Sequence, residues 1–219
     1  MLTSKVCFFG DGTTFGCRDE TLLGWPGRLG LRLHRIGRDV ACFNMAIRLD
    51  TSSDILAHWR IEATRRLPQA GTGGLVFQFG LNDMATTDSG VRVPVDESIG
   101  NAEVIIRQAA SWRPTLWVGP MPLLTGKRTK TGTITHTFTY HRDHLLGLND
   151  AYGGVAAALG VPYLDLFALL GNDREFAESL ERGDGIHPDG RGHEQVAHLV
   201  DTWPAWRAWF TQSRMAALA

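Results

Sequence analysis

The residues best suited to chemistry fall in three short segments: Phe9-Gly10-Asp11-Gly12-Thr13-Thr14-Phe15-Gly16, Gly80-Leu81-Asn82-Asp83 and Asp184-Gly185-Ile186-His187-Pro188. The first follows an apolar run and precedes a helical pattern, the setting in which a glycine-rich loop cradles a dinucleotide pyrophosphate. Gly10-x-Gly12, with Gly16 four residues on, is a loosened form of that fingerprint. Asp11 would carry a negative charge into the pyrophosphate site, and Cys42-Phe43-Asn44 stands where the acidic ribose ligand belongs, so the dinucleotide reading fails. A P-loop is excluded because no Gly-Lys-Ser/Thr follows. The third segment sets an acid three residues before a histidine on a turn-rich stretch, a pair that could hold and move a proton but is weak evidence by itself. His136, His141 and His144 have no acid or cysteine to complete a metal-ligand set, and read as loop and helix-surface residues.

The elements that must position these residues alternate along the chain. Val6–Phe9 reads as a strand, and Leu22, Leu23, Trp25, Leu29, Leu33 and Ile36 recur at helical spacing. Val40–Asn44 is the second strand; a helix over Asp54–Leu67 follows, opened by the capping cluster Asp50-Thr51-Ser52-Ser53. Leu75–Phe79 is the third strand, Asp96–Trp112 a helix, Thr115–Gly119 the fourth strand, Tyr140–Leu159 a helix and Val161–Leu164 the fifth strand. The last helix is expected over Gly192–Phe210, with Trp203, Trp206, Trp209 and Phe210 packing one face into the core. Short uninterrupted apolar strands alternating with helices call for a parallel sheet covered on both faces, with the ligand outside the strands' carboxyl ends. The stretch Thr125–Thr139, polar and carrying Lys127, Arg128 and Lys130, fits either a mobile flap over the site or a solvated loop.

Taken together, Gly-Asp-x after the first strand, Asn44–Thr51 after the second, Gly80–Asp83 after the third and Asp184-x-x-His187 near the end resemble the blocks of the SGNH hydrolases, also called GDSL esterases and lipases. They occur in the right order and span nearly the whole chain. The resemblance implies a three-layer α/β/α sandwich of about five parallel strands, flavodoxin-like, as one domain over residues 1–219. It also implies a carboxylic ester hydrolase acting by acyl transfer, with a small-molecule acyl ester as substrate and no cofactor or metal. Carried over residue by residue, it makes His187 the base and Asp184 the acid of a triad, and assigns the oxyanion donors to the backbone N–H of Gly12, the backbone N–H of Leu49 and the side chain of Asn82. Two positions depart from the family pattern: the nucleophilic serine is Gly12, and a glycine of the second block is Leu49, whose side chain would narrow the pocket or shift the loop. Asp11 is then a loop organiser, and Thr13 is displaced from the line of attack.

Without its serine, a triad enzyme loses on the order of a million-fold in turnover. Three explanations fit Gly12: a knockout made to trap a ligand, a natural non-catalytic binder of a small acylated ligand, and direct activation of water by His187. Retention of both Asp184 and His187 favours the first. Composition agrees with a small-molecule enzyme: 219 residues, 43% hydrophobic, can bury a sizeable core, and a net charge of −1 with scattered Lys and Arg leaves no footprint for nucleic acid. Cys7, Cys17 and Cys42 are an odd number without metal-ligand spacing, which fits a reducing compartment. No secretory leader or membrane-length apolar run is read in the sequence, so the expected location is cytoplasmic. Arg48 with the Lys127, Arg128, Lys130 stretch suggests an anionic acyl group. The oligomeric state is left open.

Overall fold

The computed structural model describes residues 4–67, 73–124, 126–130 and 137–211. In chain order the elements are β1 (Lys5–Gly10), α1 (Gly12–Phe15), α2 (Gly24–Arg35), β2 (Ala41–Asn44), α3 (Ser52–Arg66), β3 (Gly73–Gln78), β4 (Thr86–Thr87), β5 (Gly90–Val91) and α4 (Val95–Trp112). They continue with β6 (Thr115–Val118), β7 (Lys127–Lys130), β8 (Thr137–Tyr140), α5 (Arg142–Leu159), β9 (Tyr163–Leu164), α6 (Leu166–Leu170), α7 (Arg174–Arg182), α8 (Gly190–Thr202) and α9 (Pro204–Thr211). Five strands form a parallel sheet in the order β2-β1-β3-β6-β9, the doubly wound arrangement expected from the sequence.

Alternation along the strands divides the apolar residues between two layers of helix. Cys7 and Phe9 of β1, with Leu75 and Phe77 of β3, face the layer made by α3, α4 and α5, where Trp59, Ile105 and Tyr152 close the core. Val6 and Phe8, with Val76, face the other layer, against Trp25 and Leu29 of α2 and Val196 and Val200 of α8. Both faces of the inner strands β1, β3 and β6 are thereby buried, which is why they read as continuous apolar runs.

The helix opened by the capping cluster begins as expected: Thr51 caps α3 by accepting from the Asp54 N–H, and the Asp54 carboxylate accepts from the Thr51 N–H. Other boundaries move. The single last helix is two, α8 and α9, because Pro204 has no N–H to give and holds Trp203 extended (φ −65°, ψ 124°). Trp206 and Phe210 of α9 still reach the core that the aromatic pattern implied. Tyr140 ends a strand instead of starting a helix. The stretch read as a flap or loop contributes β7 and β8, which pair antiparallel in a second sheet ordered β5-β4-β8-β7; Thr125 and residues 131–136 lie outside the described residues.

Trp206 is buried, tilted against Phe8 of the sheet and edge-on to Phe210. Truncating it leaves a cavity that its neighbours cannot collapse into. Trp206→Ala is expected to lower unfolding free energy by about 3–5 kcal/mol, read from the urea midpoint at unchanged slope.

Candidate active site

The carboxyl end of β1 is fixed by a close approach. A Cβ on Gly10 would lie 2.2 Å from the Gln78 carbonyl oxygen, so only glycine lets the strand end this near β3. The chain then turns into the single helical turn α1. Asp11 caps it: its Oδ1 accepts from the Thr13 N–H at 2.9 Å and the Thr13 hydroxyl at 2.7 Å. The Thr13 hydroxyl is thus spent on the loop's interior, with Gln78 Oε1 a further 3.3 Å acceptor, and does not stand in for a serine. Asp11 is a loop organiser, as the sequence implied. Its Oδ2 has no partner among the described residues, and burial raises the carboxyl to about 6 against its hydrogen bonds to Thr13.

The second loop is laced to the first. Met45 N–H donates to Phe8 O at 2.8 Å and Ile47 N–H to Gly10 O at 3.1 Å, while the Asn44 amide donates to Thr14 O at 3.0 Å. Leu49 follows in the left-handed region (φ 73°), a conformation that glycine adopts freely and that costs a leucine about 1–2 kcal/mol. The Leu49 carbonyl accepts from Arg92 at 3.0 Å. The N–H groups of Gly12, at the start of α1, and of Leu49 have no acceptor among the described residues.

After β3, Asn82 is buried, donating one amide N–H to Asp50 O at 2.9 Å and accepting from the Tyr140 hydroxyl at 3.1 Å. These two bonds fix which way the amide faces. Tyr140 was missed from sequence, although Thr137-Phe138-Thr139-Tyr140 has the two-residue alternation that marks a strand. The neighbouring Asp83 accepts from the backbone and hydroxyl of Ser52 and so anchors α3 against this loop.

From the far end of the chain, Asp184 and His187 arrive as one turn. Asp184 Oδ1 accepts from the backbone N–H of Ile186 (3.0 Å) and of His187 (2.7 Å), and Oδ2 lies 3.0 Å from His187 Nδ1. Burial alone would raise this carboxyl. The hydrogen bond and charge of His187, with the backbone donors, outweigh it and hold Asp184 well below the usual carboxylate range. With Nδ1 turned to a carboxylate, Nε2 is the ring nitrogen left facing away from it. It points at position 12: a Cβ built on Gly12 would sit 2.8 Å from His187 Nε2. The first and last of the segments singled out in the sequence therefore meet at position 12.

Residues 8–195 match the sequence profile of the GDSL-like Lipase/Acylhydrolase family. Among solved structures, the chain is similar to a lipase/acylhydrolase from Enterococcus faecalis, at 22% identity and TM-score 0.68 over 90% of this chain and 93% of that one. It is also similar to the acetyl xylan esterase AlAXEase (16%, TM-score 0.68, 90% and 98%). A third is the psychrotrophic esterase EstA from Pseudoalteromonas sp., in a structure inhibited by monoethylphosphonate (14%, TM-score 0.66, 94% and 98%). At these identities the structural likeness speaks for the fold. No curated protein matches the sequence.

The buried Asp11 makes stability depend on pH. Its folded carboxyl titrates at about 6, above its unfolded value near 4, so folding takes up a proton between those values. This contribution favours the fold below about pH 4 and is lost as pH rises through 6. Asp11→Asn is expected to flatten that slope, changing the difference in unfolding free energy between pH 4 and pH 7 by roughly 2–3 kcal/mol in urea titrations. Identical slopes in the two proteins would remove the charge from Asp11.

Proposed function

The chain belongs to the GDSL-like lipase/acylhydrolase family, and on that premise we propose that its site is an acyl-ester hydrolase centre from which the serine, and only the serine, is missing. The observation that carries this reading is the alignment of Asp184, His187 and position 12: a carboxylate on Nδ1, and Nε2 directed at the place of the nucleophile.

In this reading an ester's carbonyl carbon lies beside position 12, and its oxygen takes up negative charge as the tetrahedral intermediate forms. Among the described residues the N–H groups of Gly12 and Leu49 are donors without acceptors, and the Asn82 amide has one N–H left after Asp50. Donors fixed before the reaction lower the barrier most, because nothing has to reorganise as charge develops; each is worth roughly 3–4 kcal/mol. Tyr140 contributes at one remove, holding the Asn82 oxygen so that the nitrogen faces the site. Leu49 keeps its N–H in place because its backbone accepts the left-handed conformation. His187 takes a proton from the attacking group and passes it to the leaving alcohol, while Asp184 steadies the imidazolium. Glycine at 12 preserves the backbone donor and removes the attacking oxygen, which closes the serine route.

Restoring that oxygen tests the reading. A seryl Cβ would press both His187 Nε2 and the Cys17 sulfur, and each is a side-chain tip that must shift to admit it. Gly12→Ser is expected to hydrolyse p-nitrophenyl acetate and to be labelled by a serine-directed phosphonate. Adding His187→Ala to that variant should cut turnover by about 10⁴-fold or more. A folded Gly12→Ser protein that neither turns over esters nor takes the label would overturn the proposal.

A further inference from the structure

The space vacated at position 12 is shared by a second reactive group. A Cβ built there would lie 3.2 Å from Cys17 Sγ as well as 2.8 Å from His187 Nε2, so thiol and imidazole flank one point. The sulfur is held there by its backbone. After α1 the chain reverses at Gly16 (φ 98°), where a Cβ would meet Gly24 at 2.7 Å, and the reversal brings residue 17 back over residue 12. Cys17 N–H then donates to Gly12 O at 2.9 Å, and Cys17 O accepts from His193 Nε2 at 3.1 Å. His193 is wholly buried and burial lowers its pKa, which keeps it a neutral donor to that carbonyl.

The other two thiols are placed differently. Cys7 is buried in the sheet and pushed up to about 12 by burial; Cys42, on the edge strand β2, is pushed up to about 11 by the same cause. Cys17 is half-buried; its Sγ and Nε2 of the carboxylate-paired His187 both border the point where a Cβ on Gly12 would sit, with no hydrogen bond between them, and the Gly12 N–H has no acceptor among the described residues.

We propose that Cys17 is the nucleophile of this chain, so that Cys17, His187 and Asp184 form its working triad; the inference rests on the ester-hydrolase reading of the site. The Sγ–H proton passes to His187 Nε2 as sulfur bonds to the ester's carbonyl carbon. The carbon–oxygen bond to the alcohol then breaks, the alcohol leaves with the proton from His187, and the acyl group is held as a thioester. Water attacks next, giving a proton to His187; the carbon–sulfur bond breaks and sulfur takes the proton back, leaving acid plus alcohol. Burial raises the Cys17 pKa, the charge of Arg48 opposing it in part. The thiol is therefore protonated at rest and depends on His187 for its activation.

Glycine at 12 is then a requirement. Any Cβ there would crowd both the sulfur and the imidazole, and a side chain without chemistry is as obstructive as one with it. Wild-type protein mixed with p-nitrophenyl acetate is expected to carry an acetyl group on the peptide containing Cys17, removable by neutral hydroxylamine. Cys17→Ala should abolish that adduct and slow release of p-nitrophenol at least about 100-fold; Gly12→Ala, with Cys17 intact, should do the same. Thermal unfolding checks that each variant folds. Acylation or turnover unchanged in Cys17→Ala, or no acylation of the wild type, would overturn the proposal. The double variant Gly12→Ser/Cys17→Ala separates the two readings. If it turns over ester while wild type forms no adduct, the hydrolase reading stands and Cys17 is not its nucleophile. If a folded double variant is as inert as an adduct-free wild type, both readings fall.

Discussion

The geometry of the site rests on the carboxamide of Gln78, buried at the carboxyl end of the middle strand of the sheet. Its oxygen accepts from Trp25 Nε1 at 2.8 Å and from the Thr14 hydroxyl at 2.9 Å, with the Thr13 hydroxyl at 3.3 Å; its nitrogen donates to Gly119 O at 3.1 Å. One side chain thus references the first loop, the first long helix and the end of β6 to a single point. Each group orphaned by its loss would cost about 1–3 kcal/mol of uncompensated desolvation, so an apolar residue of equal size is no substitute. A satisfied network of this kind also admits few alternative arrangements, which lets backbone donors be aimed.

What Gln78 holds, the rest of the site uses. The first loop can collapse onto β3 because Gly10 has no Cβ, and Asp11 closes the turn at the expense of a buried carboxyl with one oxygen unpartnered among the described residues. Asn44 and the Ile47 N–H sew the second loop to that turn. His187 arrives independently, on a turn preceding α8, and its distance from Gly12 is set by how α8 packs on α2. That interface is apolar at its centre and edged by Arg28 with Asp19 and Glu194 and by Arg32 with Glu194. Half of the site is therefore local to the sheet edge, and half depends on two helices far apart in sequence.

This division explains what was legible in the sequence. The parallel sheet was, because burial on both faces leaves unbroken apolar runs such as Val6–Phe9 and Leu75–Phe77. The meeting of Asp184 and His187 was, because an Asx turn is written in adjacent residues. The break at Trp203-Pro204 was hidden, since the aromatic spacing continues on both sides of it. The second sheet was hidden for a different reason: β4 and β5 have two residues each, too few to show a period. Helices α6 and α7 went unread although each carries its own capping aspartate, Asp165 and Asp173, bonded to the first-turn backbone. Tyr140 escaped because its role lies in an approach across 58 residues of chain to Asn82, which no local pattern encodes.

Position 12 shows why a missing functional group and an empty volume are separate facts. Read as chemistry, glycine offers a backbone donor and no side-chain group. Read as space, it is an admission: the imidazole tip and the sulfur of Cys17 both border a point that a Cβ would fill, at separations that real Cβ atoms rarely tolerate. A serine could be accommodated only by displacing both. The glycine and the thiol are therefore coupled through one volume about the size of a methyl group. The Asp184–His187 pair and the reversal at Gly16 bring an imidazole nitrogen and a sulfur to the border of that one volume.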